Sequence, residues 1–435
     1  MSVHWLACHG RIRPAEPTGF RGYLCAHIRG TRSPRGVASL LSPGASFPFP
    51  FRDISSFVPF FEVLALVPGC LRRTYSESSL FISPHRLILK TCGTTLNLMG
   101  LPRILEIARE HASLPTVHRC FYSRKSFFFP ELQKGPHREW KDEVEYLDRI
   151  FQNGAAYSVG KMNGNHWLLY ITRPLGTPDT PTLANRPLSC AQTNGIKTHR
   201  SPDATNISPK ALGVDSTIEI LMTHLSPSAS QAFHFPEGSD LTSTPFDKAH
   251  EISLKLGITD LFPPHLTTLD SYAFTPCGYS ANALLKQGEA NSLQNAEDHA
   301  VVSGGEGYYS LHVTPEEGWS YASFECNVPL SPVPAPHSDD IPDLGTLVRR
   351  VVDIFRPARL SVTLFISSAG NDEAEEEAGE SAIEAAQRAF KAALTTNKSA
   401  FQDEARDVYT YTRTDKINYD FGDYDLAFAS FELAT

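Results

Sequence analysis

The sequence predicts an α+β fold in which antiparallel sheets carry helices segregated to one face. Short apolar runs of strand character recur along the chain, namely Trp167–Ile171, Tyr308–Val313, Tyr321–Cys326, Leu360–Ile366 and Leu426–Phe431. Runs of strands give way to an amphipathic helix, and this happens twice. No internal repeat of about 20–50 residues is present, which excludes a solenoid or a propeller.

The elements follow in order. Residues 1–52 hold seven arginines and one acidic residue among many Pro, Gly and Ser, with no sustained period. Such a start fits a transit peptide or an unstructured tract. Residues 1–56 are therefore expected to be an atypical, disordered or wrongly assigned N-terminal segment, and 57–435 the folded α/β domain. Phe60 to Val67 is a compact apolar run closed by the turn signal Pro68-Gly69. A helix is expected over Leu101–His111, with Ile104, Leu105 and Ala108 on one face. A second is expected over Trp140–Phe151, where Trp140, Val144, Leu147 and Phe151 share a stripe. Asp215-Ser216 offers N-cap chemistry for a helix over Thr217–Leu225. Asp343–Phe355 reads as a helix with Leu344, Leu347, Val348, Val351 and Phe355 as its stripe. Polar insertions near 174–214, 286–307 and 371–380 are expected to be surface loops.

With 435 residues the chain has enough length for a large core. Its formal charge of −9 argues against nucleic acid as the main partner, since phosphate recognition needs a basic face. No apolar run is long enough for a transmembrane helix. The eight cysteines are scattered without the spacing of a zinc site or a disulfide framework, so no metal is expected and the setting should be reducing and cytoplasmic.

Chemistry concentrates in four places. The first is Tyr75-Ser76-Glu77-Ser78-Ser79-Leu80-Phe81, followed by Lys90-Thr91-Cys92-Gly93-Thr94-Thr95. These two short strands put an acyl carbonyl, a hydroxyl able to attack it and a lone thiol close together. The second is Phe274-Thr275-Pro276-Cys277-Gly278-Tyr279-Ser280-Ala281-Asn282, and the third is His312-Val313-Thr314-Pro315-Glu316. The fourth is acidic: Asp215 and Glu219, spaced for one helical face, with Glu325 in a later strand. Taken singly, the bland readings are paired serines in a turn, a core cysteine, a core aromatic, and a surface His and Glu.

Together these motifs are similar to those of eukaryotic S-adenosylmethionine decarboxylases. The resemblance covers residues 75–435, the insertions aside, and includes Tyr122-Ser123-Arg124-Lys125 and Asn153-Gly154-Ala155-Ala156-Tyr157. It implies a four-layer α/β/β/α sandwich of two similar halves. It also implies self-cleavage between Glu77 and Ser78, which turns Ser78 into a pyruvoyl cofactor, the electron sink that decarboxylation requires. By the same resemblance, Cys92 protonates the substrate carbon, Ser280 assists processing and His312 removes the α-proton of an ester intermediate. Phe274 stacks on the adenine of S-adenosylmethionine, and Glu316 clamps its ribose hydroxyls. In animal members, carboxylates matching Asp215, Glu219 and Glu325 hold putrescine, with Thr217, Ser123 and Lys90 in the polar network. The other reading of that set has the acids paired with Lys90 or Arg124 and binding no amine. A homodimer of processed chains is a further expectation.

The sequence departs from the family upstream. The Phe-Glu-Gly-x-Glu-Lys strand, which supplies a second adenine-stacking aromatic and two acids, has no counterpart in residues 1–74. One central strand is thus unaccounted for, and the alternative of a catalytically impaired homologue, acting as a regulatory or metabolite-binding subunit, stays open.

Overall fold

The structure is a computed structural model. It describes residues 22–29, 71–75, 78–83, 86–91, 96–112, 114–127, 129–161, 166–173, 215–235, 244–286, 306–332, 341–396 and 409–434. The Glu77 and Cys92 positions, the apolar run over 60–67 and the insertion over 174–214 lie outside the described residues.

The first half is a sheet of β1 (Gly22–Arg29), β2 (Leu71–Tyr75), β3 (Ser78–Ser83), β4 (Arg86–Lys90), β5 (Thr116–Lys125), β6 (Gly154–Val159) and β7 (Trp167–Thr172). Its order is β2-β3-β4-β1-β5-β7-β6, antiparallel throughout. The second half comprises β8 (Ser216–Thr223), β9 (Thr267–Ala273), β10 (Tyr279–Lys286), β11 (Glu306–Thr314), β12 (Tyr321–Cys326), β13 (Arg359–Ser367), β14 (Tyr411–Asp420) and β15 (Tyr424–Leu433). Its order is β14-β15-β13-β8-β12-β11-β10-β9, again antiparallel.

Helices cover one face of each sheet, because alternate strand residues point to opposite faces. On the first sheet Leu89, Cys120, Tyr122 and Tyr170 pack under α1 (Asn97–Ala112) and α2 (Trp140–Asp148), meeting Leu98, Leu101 and Leu147. The second sheet bears α3 (Pro227–Gln231), α4 (Pro245–Leu256), α5 (Leu344–Phe355), α6 (Ser368–Ala378) and α7 (Ala382–Thr395). Its outward Ile218, Ile220, Leu311, Phe324, Val362 and Phe431 join one cluster with Val348, Val351 and Phe390. The opposite faces meet each other. Phe121, Leu169 and Ile171 pack on Leu426 and Phe428, and Phe81 and Ile88 on Leu284 and Tyr308. The architecture is therefore an α+β sandwich, layered α/β/β/α, with two helix-covered antiparallel sheets as its halves.

Three expectations are corrected. Thr217–Leu225 is not a helix: its core is β8, where β-branched Thr217, Ile218 and Ile220 favour extended backbone and period two separates Glu219 from Ile218 and Ile220. The acidic stretch near 371–380 is not a loop. Ser367 caps α6 by accepting from the Gly370 N–H, the Glu and Ala residues have good helix propensity, and Gly379 ends it at φ 73°. The insertion near 286–307 is narrower, since Lys286 closes β10 and Glu306 opens β11.

The N-terminal segment contains one strand of the fold. β1 fills the central position between β4 and β5, pairing Cys25 with Ile88 on one side and Phe121 on the other. No residue of β1 is a carboxylate, and none of Phe-Glu-Gly-x-Glu-Lys is read along it as a motif. Among the described residues no helix is long and apolar enough to cross a membrane.

Candidate active site

The inner faces of the two sheets, apolar at their flanks, carry a band of polar residues between them. Alternation produces it: Ser280 and Asn282 on β10, Ser310 and His312 on β11, Ser323 and Glu325 on β12, and Ser79 and Lys90 opposite are all buried. Buried polar groups need partners to offset lost hydration, and here many of those partners come from the facing sheet.

His312 is the pivot. On β11 it stands opposite Ser280 of β10, whose Oγ lies 2.9 Å from His312 Nδ1. On the other side of the ring, Nε2 lies 3.0 Å from the Oγ of Ser79 on β3. Ser280 and His312, predicted from separate motifs, thus form one chain of hydrogen bonds that reaches the strand headed by Ser78. The residue of that strand in contact is Ser79. Ser78 is half-buried, pairs with Tyr75 of β2 and is turned by alternation to the other face. Its α-carbon is nevertheless only about 3.8 Å from that of Ser79, one trans peptide away.

Phe274 and Glu316 lie at the same end of the second sheet. Phe274 follows β9, where Ala273 pairs with Tyr279, and Glu316 follows β11, where Val313 pairs with the same Tyr279. A tight turn presents Phe274: its N–H donates to the Gly278 carbonyl at 2.9 Å. Gly278 adopts φ 115°, which favours glycine. The Phe274 ring lies 4.8 Å from that of Tyr272, and both aromatics are half-buried. Among the described residues no group of His, Cys, Asp and Glu is arranged to hold a metal ion.

The acidic set gathers deeper in the band. Glu219 and Glu325 are cross-strand neighbours on β8 and β12. Buried Lys90 lies 2.7 Å from Glu325 Oε1 and donates to Ser310 Oγ at 2.6 Å. The Tyr308 hydroxyl donates to the same Glu325 oxygen at 2.6 Å. Asp215 precedes β8 and shares its face with Thr217 and Glu219. As a strand, that spacing spreads the acids over about 13 Å instead of one helical turn. Arg86 pairs with Asp215 at 3.0 Å, and Tyr424 donates to it at 2.7 Å. A cavity of about 50 Å³ lies among Ser123, Asp215, Thr217, Glu219 and Glu325. Beside it on β5, burial lowers the Lys125 amine to about 8, with Glu219 pulling the other way. Burial also pushes the Tyr424 hydroxyl well up, and the Asp215 charge adds to this. Arg124 is not among these partners: it faces the helices and binds Glu143 at 2.7 Å.

Removing one member of a buried ion pair strands the other charge, which typically costs about 3–5 kcal/mol. Lys90→Met is expected to lower the unfolding free energy by about that amount, read from denaturant midpoints. A change below about 1 kcal/mol would mean that Glu325 finds another partner.

Sequence reasoning missed Ser79, Arg86, Tyr308, Lys125 and Tyr424. Strand parity was the available signal: Ser79 shares a face with Phe81, and Lys125 with Phe121 and Ser123.

A family model described as adenosylmethionine decarboxylase matches residues 74–432. A Xenopus laevis protein named S-adenosylmethionine decarboxylase proenzyme is 35% identical over 292 residues, covering 67% of this chain and 66% of its own length. A Saccharomyces cerevisiae protein of the same name is 32% identical over 378 residues, covering 81% and 76%. A Drosophila melanogaster protein of that name is 34% identical over 290 residues, covering 67% and 66%. The chain thus spans about two thirds of the length of two of these relatives and three quarters of the third. A solved structure described as Trypanosoma brucei AdoMetDC-delta26 monomer aligns at 18% identity and TM-score 0.48, covering 82% of this chain and 99% of that one.

Proposed function

Since the chain belongs to the adenosylmethionine decarboxylase family, we propose that it is a self-processing decarboxylase of S-adenosylmethionine, supplying the aminopropyl donor for spermidine and spermine in the cytoplasm. The observation that carries the reading is His312, hydrogen-bonded through Ser280 on one side and turned by its other nitrogen toward the strand that Ser78 begins.

Ser78 Oγ attacks the carbonyl carbon of Glu77, the peptide C–N bond breaks, and an ester to the Ser78 side chain forms. His312 takes the α-proton of residue 78. The released electron pair makes a Cα=Cβ bond, and the Cβ–O bond breaks to free the Glu77 carboxylate. Water then replaces the amine nitrogen, which departs as ammonia and leaves a ketone at position 78. Support for such a group at position 78 is that Ser78 is half-buried and that the next residue, Ser79, is fully buried and hydrogen-bonded to His312. Once formed, the pyruvoyl carbonyl supplies the electron sink for loss of CO2. Phe274 offers its face to the adenine and sulfonium, Glu316 accepts from the ribose hydroxyls, and Cys92 delivers the proton to the substrate carbon. The test is a denaturing gel with intact-mass analysis. Fragments 1–77 and 78–435, the second blocked to N-terminal sequencing, support the reading, whereas an ordinary serine at the new terminus points to proteolysis.

The acidic cavity is read as a diamine site for putrescine. Arg86, Lys90 and Lys125 oppose Asp215, Glu219 and Glu325, three formal charges of each sign, so the set is neutral while Lys125 is protonated. Lys125 loses its proton near pH 8, which leaves the cavity more negative. Putrescine affinity is therefore expected to rise, by up to about tenfold, between pH 7 and 9. Calorimetric titration checks this. Lys125→Met should bind at the high-pH level throughout, and a step surviving in that variant would assign the titration elsewhere.

A further inference from the structure

A neutral imidazole carries one N–H and one lone pair, and which nitrogen holds which is set by its hydrogen-bond partners. In His312 the two nitrogens face different sheets. Nδ1 meets Ser280 on the neighbouring strand, and Nε2 meets Ser79 across the sandwich. Only Nε2 therefore faces the strand that contains residue 78. To accept a proton from that residue, Nε2 has to carry the lone pair. Nδ1 then carries the hydrogen and donates it to Ser280 Oγ, while the Ser79 hydroxyl donates to Nε2. Ser79 is fully buried, so water does not compete for this contact.

We propose that Ser79 is a positioning residue for self-cleavage, holding His312 as the Nδ1–H tautomer with its Nε2 lone pair turned toward residue 78. The proposal rests on the self-processing reading. When the ester has formed, the hydroxyl rotates off Nε2, the Cα–H bond of residue 78 breaks and its proton passes to Nε2. Ser79 itself gains and loses nothing. A serine that merely fills its slot would be felt in stability alone, because any buried hydroxyl needs a partner.

Two measurements on the full chain separate these roles. With histidine ring nitrogens labelled and cleavage blocked by Ser78→Ala, long-range proton–nitrogen spectra report the tautomer of His312, assigned by its loss in His312→Gln. A single Nδ1–H form is expected with Ser79, and a mixed or Nε2–H form in Ser79→Ala. Ser79→Thr should restore the first pattern, and Ser79→Cys, close in volume but a weak donor, should resemble Ala if Ala disturbs packing. In chains that keep Ser78, Ser79→Ala should slow cleavage by about tenfold, the loss expected for one hydrogen bond, with Thr close to wild type. An unchanged tautomer in Ser79→Ala and Ser79→Cys overturns the proposal, as does an unchanged cleavage rate. A wild-type chain that never cleaves overturns the self-processing reading instead, while the spectra still decide the role of Ser79.

Discussion

Ser78→Ala is expected to run as one intact chain on a denaturing gel and to release no CO2 from S-adenosylmethionine, where the unmodified chain yields fragments 1–77 and 78–435. Alanine has no oxygen to attack the Glu77 carbonyl, so neither the ester nor the ketone derived from it forms. The effect should be complete, since a missing cofactor removes the electron sink rather than weakening it. The site around it should survive the change: Ser79, Ser280 and His312 keep their partners, and Ser78 is only half-buried at the start of β3. An Ala chain that still splits at this point would mean that another residue performs the cleavage, and protein sequencing of the new terminus would identify the cut.

Cys92→Ala is expected to separate the two activities. Cleavage should persist, because the groups proposed for it are Ser78, Ser280 and His312. Measured in chains whose β1 is replaced by a Phe-Glu-Gly-x-Glu-Lys strand, turnover should fall by about 10²–10⁴-fold, the usual loss when a general acid is removed. Wrong protonation of the substrate should also inactivate the enzyme progressively, so product would accumulate with a falling rate. Cys92 lies outside the described residues; the preceding Thr91 is buried, and Asn97 at the start of α1 donates to its hydroxyl at 3.4 Å. Equal rates and lifetimes with Cys92 and with Cys92→Ala in that background would take the thiol out of the mechanism.

Much of the arrangement was legible because it depends on short-range patterns. The stripes of α2 and α5 mark helices in the sequence, and both are present, with the Asp343 side chain accepting from the Thr346 N–H at the start of α5. The pairing of Ser280 with His312 was not legible, because it depends on the register of β10 against β11 across an insertion that spacing does not measure. β8 was misread because Asp215-Ser216 supplies good cap chemistry, while the extended preference of Thr217, Ile218 and Ile220 is expressed only once β12 and β13 pair on either side. The acidic α6 was misread for the opposite reason, as charge was weighed above helix propensity. Of the two cations offered as partners of the acids, Lys90 pairs with Glu325 and Arg124 does not, since Arg124 and Lys125 are adjacent and only parity sends one to Glu143 and the other toward Glu219. β1 was not recognised because Gly22–Arg29 lies in a tract rich in Arg, Pro, Gly and Ser and does not carry the Phe-Glu-Gly-x-Glu-Lys motif.

That last point sets the sharpest expectation. β1 occupies a central strand position and carries one aromatic, Tyr23, but neither the phenylalanine nor the acids of the Phe-Glu-Gly-x-Glu-Lys motif. If Tyr23 does not replace the motif's phenylalanine, losing one face of the adenine stack should weaken binding by roughly tenfold at most, as such stacking is worth about 0.5–1.5 kcal/mol. Losing acids at the reacting centre should matter more. The most direct measurement is CO2 release from carboxyl-labelled S-adenosylmethionine by the 435-residue chain, by its Ser78→Ala variant, and by a version in which a Phe-Glu-Gly-x-Glu-Lys strand replaces β1. The account predicts little release from the chain as it stands, strong release once the strand is replaced, and none from Ser78→Ala. Release that is indifferent to Ser78, or a self-cleaved chain with the replaced strand that still releases no label, would contradict it.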